Sequence, residues 1–336
     1  MIIDPAVIAL FTGSFLVSLI ILIASWLGLQ IVMFWNLQCG SEKQLELEKW
    51  TYLVSTLMAY AFGFEILSLF LFVYTTDSLH NLFIGAMCAA GTLNTGTFGY
   101  HTLGIKILIL ILAGVWLVMN HVDGQAGDYP LIRKKYIFLL VIAPLVLLEG
   151  FLQSAYFLSL KADVITSCCG SLFSSSQTYG ESPLSLMIGF PAGYLQAAFY
   201  GSAFLSSGLG FFYYRGFNKL GWFFTISSTG FFLISVFSLI SFVSLYFYEL
   251  PTHHCPFCIL QREYYFIGYL LYGMLFGGVI SGAGAGILSP FRKIGSLQGP
   301  LPIVQRRLTM TSLFLNFFFV AIVTWQMWHS NLVIDR

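Results

Sequence analysis

The segment 251–269, PTHHCPFCILQREYYFIGY, sets Cys255 and Cys258 either side of a Pro-Phe pair, behind His253 and His254 and ahead of Arg262. Three chemistries suit that pattern. Thiolates and imidazoles are soft and borderline ligands, so Cys255, Cys258, His253 and His254 form a candidate zinc or copper set. The two cysteines can instead close a static clip, or they can exchange electrons. A Cys-x-x-Cys pair at the start of a helix holds its first thiol near the exposed N–H groups, which favours the reactive thiolate. In a continuous helix Arg262 would lie one turn beyond Cys258 on the same face, where its cation can stabilise a thiolate or meet the carbonyl oxygen of an electron acceptor. Attachment of a c-type haem is excluded, because Ile259 rather than His follows the second cysteine.

Four more cysteines lie upstream, at Cys39, Cys88, Cys168 and Cys169. Cys88, Cys168 and Cys169 are candidate exchange partners for the 255/258 pair, against the bland alternative that they are small packing residues. Cys39 reads as an ordinary thiol. Glu65 and Glu149 fall near the middle of long apolar runs. A charge at membrane depth is expensive, so each is a candidate for proton transfer, with pairing to Lys106, or a neutral protonated Glu, the equally good structural account. His80 and His101 read as ordinary histidines.

These residues sit in a chain built for a bilayer. Of its 336 residues 58% are hydrophobic and 9% charged, against about a quarter charged in soluble domains. The expected fold is an all-α polytopic bundle of about eight spans, with no room for a separate soluble domain. The candidate spans are 6–35, 51–74, 104–120, 135–160, 183–213, 222–250, 264–288 and 310–328; Pro191 and several glycines make the fifth the least regular. A net charge of +1 and the lack of a basic block give no reason to expect nucleic acid. The first apolar run is too long for a signal peptide and is expected to be a retained helix.

Basic residues alternate from loop to loop. Lys43 and Lys49, Arg133 to Lys135, Arg215 and Lys219, and Arg292, Lys293, Arg306 and Arg307 mark the odd-numbered loops as cytoplasmic, which leaves both termini external. Five of the six cysteines then share the external side, an oxidising compartment if that side is a periplasm. The glycine-rich loops 75–103 and 161–182, which carry three of them, have the texture of segments that fold back into protein or line a cavity. The seventh helix carries GMLFGGVISGAGAG, with Gly273 and Gly277, then Gly278 and Gly282, spaced for close helix approach.

CPFCILQR, residues 255–262, resembles the signature of the DsbB family of disulfide-generating quinone reductases, in which Cys-x-x-Cys and three further residues precede an Arg at the external start of a transmembrane helix. The resemblance covers the motif and the helices around it, within residues 216–336, taken as a C-terminal DsbB-like three-helix region; residues 1–215 form an N-terminal five-helix region without a counterpart. It implies a bacterial inner-membrane oxidoreductase that passes electrons between a periplasmic thioredoxin-like dithiol protein and ubiquinone or menaquinone. Cys255 and Cys258 would be the quinone-proximal pair, with Arg262, Gln261 and His254 around the quinone. Family members have four helices and a second cysteine pair downstream, whereas the other thiols here lie upstream. The alternative to this activity is an external Cys/His copper-handling protein, or a structural membrane subunit with loop disulfides; other membrane subunits and lipid are the remaining expected partners.

Overall fold

The computed structural model describes residues 4–36, 42–160, 192–251 and 253–332. Among these the chain is all-α. The long helices are α1 (Pro5–Phe34), α2 (Glu42–Ser78), α4 (Gly99–Asp123) and α5 (Ile132–Ser159), then α6 (Ala192–Tyr214), α7 (Gly221–Ser238), α9 (Ile267–Ile287) and α10 (Pro300–His329). Two short helices, α3 (Ala89–Asn94) and α8 (Ser244–Tyr248), lie near the cysteines. Among the described residues seven stretches are long and apolar enough to cross a membrane, so the protein is a multi-pass membrane protein. The fifth expected span is helical as α6, but its serines and glycines leave it outside those seven; its expected start, 183–191, falls outside the described residues.

The helices form two compact units, one of residues 1–75, 96–161 and 290–305, the other of 76–95, 162–289 and 306–336. α6 thus groups with the C-terminal helices, and the packing does not divide the chain at residue 215 as the sequence reading did. That reading stopped at a loop, whereas the apolar faces of α6 and α7 pack on each other.

In the first unit α1 buries a stripe at helical spacing, Val7, Leu10, Ser14, Val17, Ile21, Ala24 and Ile31. Its other side leaves Phe15, Leu16, Ile23 and Trp26 exposed, as lipid contact allows. The core holds Met58, Phe62, Trp116, Tyr136, Leu139 and Ile142. Trp116 meets Phe62 edge-on with ring centroids 5.1 Å apart, and its indole N–H donates to the Lys135 carbonyl at 3.1 Å. Lys135, expected at a loop edge, is buried and bonds Asp123 (2.8 Å), Asn120 (3.0 Å) and Ser55 (3.1 Å). Asp123 also accepts from the Leu131 amide at 2.8 Å, which closes the α4–α5 turn.

In the second unit α9 packs closely because its neighbours face bare backbone. A Cβ at Gly278 would strike Asn316, one at Gly282 would strike Ser228 and Ser312, and one at Gly286 would strike Thr225. Gly277 faces Leu315, while Gly273 faces open space. The close approach expected of this glycine run therefore uses the 278, 282 and 286 positions. Ser312 exploits it by donating to the Gly278 carbonyl at 2.9 Å.

Candidate functional site

The site is built at the end of α7. There the helix widens into a π-helical turn, Leu239–Val243, before α8, and such turns leave carbonyls to be satisfied from elsewhere. His254 supplies the hydrogen: its Nδ1 donates to the carbonyls of Ile240 (3.2 Å) and Ser241 (3.1 Å). Two phenols then hold the cysteine loop by its backbone. The Tyr248 hydroxyl donates to the Cys255 carbonyl at 2.6 Å, and the Tyr272 hydroxyl, from α9, donates to the Pro256 carbonyl at 2.8 Å.

After the loop the chain makes two 3-10 turns, Cys258–Leu260 and Arg262–Tyr264, with extended Gln261 between them. Tyr265 (φ 53°) and Phe266 (φ 55°) are left-handed, and α9 begins only at Ile267. This corrects the expectation that Cys255 and Cys258 open a continuous helix with Arg262 one turn on. Extended Gln261 breaks the helical path between Cys258 and Arg262, so Arg262 does not stack on Cys258 and is exposed, while the two bulky left-handed residues hold off the start of α9. Burial, then the neighbouring Cys258 and Glu263, push the Tyr264 phenol above its ordinary value, and its ring meets Tyr248 edge-on at 4.8 Å.

Cys88, far upstream, completes the site. Its Sγ lies 3.3 Å from the Sγ of Cys255 across a sequence separation of 167, and the sulfurs of Cys88, Cys255 and Cys258 all lie within 4.8 Å of one another. Cys88 and Cys255 are 0% exposed and Cys258 is 5% exposed. His253 Nε2 lies 3.3 Å from Cys258 Sγ, and its ring packs edge-on against Tyr248 at 4.7 Å.

A polar clamp holds Cys88 there. Asp77 Oδ1 accepts from the Ala89 amide at 3.0 Å and from Gln261 Nε2 at 3.1 Å, and Gln261 Nε2 also donates to the Met87 carbonyl at 3.0 Å. Both chain neighbours of Cys88 are thus tied to a residue three positions after Cys258. The loop carrying Cys88 does fold back into protein, with Ala89, Ala90, Thr92 and Leu93 fully buried.

Several assignments from sequence change accordingly. Gln261 and His254, expected around a cofactor, spend their donors on Asp77 and Met87, and on the π-turn carbonyls. The candidate metal set changes from Cys255, Cys258, His253 and His254 to Cys88, Cys255 and Cys258, whose sulfurs converge, with His253 Nε2 beside Cys258. Glu65 and Glu149 belong to the first unit, where Lys106 Nζ lies 2.6 Å from Glu149 Oε1. Cys39, Cys168 and Cys169 lie outside the described residues. His80 and His101 bond carbonyls of their own turns, Asp77 and Thr97. Asp77, Tyr248 and Tyr272 were missed, since an acid ending an apolar run and tyrosines near a membrane surface look unremarkable in sequence.

No family model, no curated protein and no solved structure matches the chain.

Proposed function

We propose that the protein is a membrane thiol–disulfide oxidoreductase in which Cys255 and Cys258 exchange electrons with Cys88 and with a membrane quinone. The observation that carries this reading is the 3.3 Å approach of Cys88 to Cys255. A sulfur that close to one member of a Cys-x-x-Cys pair can displace the other directly.

The exchange balances as follows. With Cys255 and Cys258 joined, the Cys88 thiolate attacks Cys255 Sγ; the Cys88–Cys255 bond forms, the Cys255–Cys258 bond breaks, and Cys258 leaves as thiolate. His253, beside Cys258 Sγ, is the group to return its proton. Cys88 is buried, so Cys168 or Cys169 would relay electrons to it from a thioredoxin-like dithiol protein on the periplasmic face of a bacterial inner membrane. A thiolate of the relay attacks Cys88 and releases Cys255 as thiolate, which leaves Cys255 and Cys258 reduced; the dithiol protein then reduces the Cys88–relay disulfide, becoming a disulfide itself and freeing Cys88. A quinone would then take two electrons and two protons from that pair to become quinol and restore the disulfide. With Gln261 and His254 committed to protein partners, Arg262 is the residue to meet it, followed by exposed Tyr265 and Phe266.

Capture of copper or zinc by Cys88, Cys255, Cys258 and His253 is the rival, favoured by the convergence of three sulfurs with an imidazole nearby. Addition of a soluble quinone to the reduced protein, with thiols counted by mass spectrometry and metals assayed on the same sample, separates the two. Loss of two thiols at Cys255 and Cys258, slowed in Arg262→Ala, is the expected result. Thiols inert to quinone, with about one copper or zinc co-purifying and shielding them from alkylation, would replace this reading with the metal site.

A further inference from the structure

The first unit holds a second cluster of ionisable groups that the thiol chemistry does not use. Oxidation of a dithiol by a quinone is balanced in protons, because the dithiol supplies both that the quinol takes up. Glu65 on α2, Lys106 on α4 and Glu149 on α5 are 2%, 1% and 0% exposed. The cluster has two carboxyl groups and one ammonium. α1 brings no charged residue to it, and the nearby Tyr156 of α5 is a phenol packed edge-on against Phe72 at 5.7 Å.

The ammonium has a preferred carboxylate. Lys106 Nζ lies 2.6 Å from Glu149 Oε1 and donates to Ser68 Oγ at 3.0 Å. Ser68 Oγ is 2.9 Å from the Glu65 backbone carbonyl and 3.3 Å from Glu65 Oε2. A serine hydroxyl has one hydrogen and two lone pairs. If that hydrogen goes to the closer carbonyl, the contact with Glu65 Oε2 needs a hydrogen from the glutamic acid. Ser68 then accepts from Lys106 and Glu65 together and its capacity is filled. Glu65 Oε1 and Glu149 Oε2 are buried without a hydrogen-bond partner, and an unpaired charge on Glu65 would add a heavy desolvation cost.

We propose that the first unit binds one exchangeable proton at membrane depth, resident on Glu65 and opposite the Lys106–Glu149 ion pair. The site has net charge zero when the proton is bound and −1 when it leaves, the arrangement of a proton-coupled element. It stands whether or not the cysteines are redox-active.

Infrared spectra of the full-length protein and of Glu65→Gln, recorded at neutral pH in H2O and D2O, test this. The parent-minus-variant difference is expected to contain a carboxylic-acid carbonyl band that shifts in D2O. Glu65→Gln copies the neutral acid, so its thermal midpoint should match the parent. Absence of the difference band, a band unmoved by D2O, or a large loss of thermal stability in Glu65→Gln would each overturn the proposal.

Discussion

Cys88 needs a fixed approach to Cys255, and its flanking residues receive one from Asp77 and Gln261. Gln261 is part of the quoted motif, and its glutamine invites a role in the binding of a cofactor. Its two bonds support another under the proposed exchange, in which it would position a thiol donor and act through Cys88 rather than on any substrate. Gln261→Ala is therefore expected to slow transfer between Cys88 and Cys255 by about tenfold to a hundredfold, the scale of a small misplacement of reacting groups. Oxidation of Cys255 and Cys258 by quinone should stay close to the parent rate. Stopped-flow measurement of both steps checks this, and loss of the quinone step alone would return Gln261 to the cofactor. Nothing in the sequence joins residues 77 and 261; their separation of 184 is closed only by the fold.

Among the elements, α9 shows what the sequence makes legible. A run of small residues four apart signals close packing, and Gly278, Gly282 and Gly286 face Asn316, Ser228 and Thr225 without room for a Cβ. Gly282→Leu is expected to destabilise the protein by about 1–3 kcal/mol or more, the range for overpacking, whereas Gly273→Ala, in open space, should be nearly silent; thermal unfolding in detergent compares them. The start of α9 was not legible. Apolar and aromatic residues from Ile259 to Tyr269 look like continuous helix, yet Tyr265 and Phe266 adopt left-handed backbone that a propensity argument assigns to glycine or asparagine. The π turn was equally hidden, since its signature is the donor that answers it, His254, thirteen and fourteen residues on from the two carbonyls.

For the whole molecule, hydropathy alone sufficed to give an all-α multi-pass bundle, because apolar runs of about 20 residues fit a spanning helix and are twice the length of a barrel strand. The grouping of helices did not follow from hydropathy, and α6 joins the C-terminal helices through packing that no loop composition reveals. Pairing of Glu149 with Lys106 is one of the accounts that the cost of a buried charge left open in the sequence, while the share taken by Ser68 had no signal there. The account turns on whether Cys88 and Cys255 form a covalent bond in turnover. Cys258→Ser, reduced and then treated with the thiol oxidant diamide, should accumulate a Cys88–Cys255 disulfide because no Cys258 thiolate is left to resolve it, read as one crosslinked peptide pair by mass spectrometry. Cys255 remaining a free thiol, or pairing with Cys168 or Cys169 while Cys88 stays reduced, would contradict it.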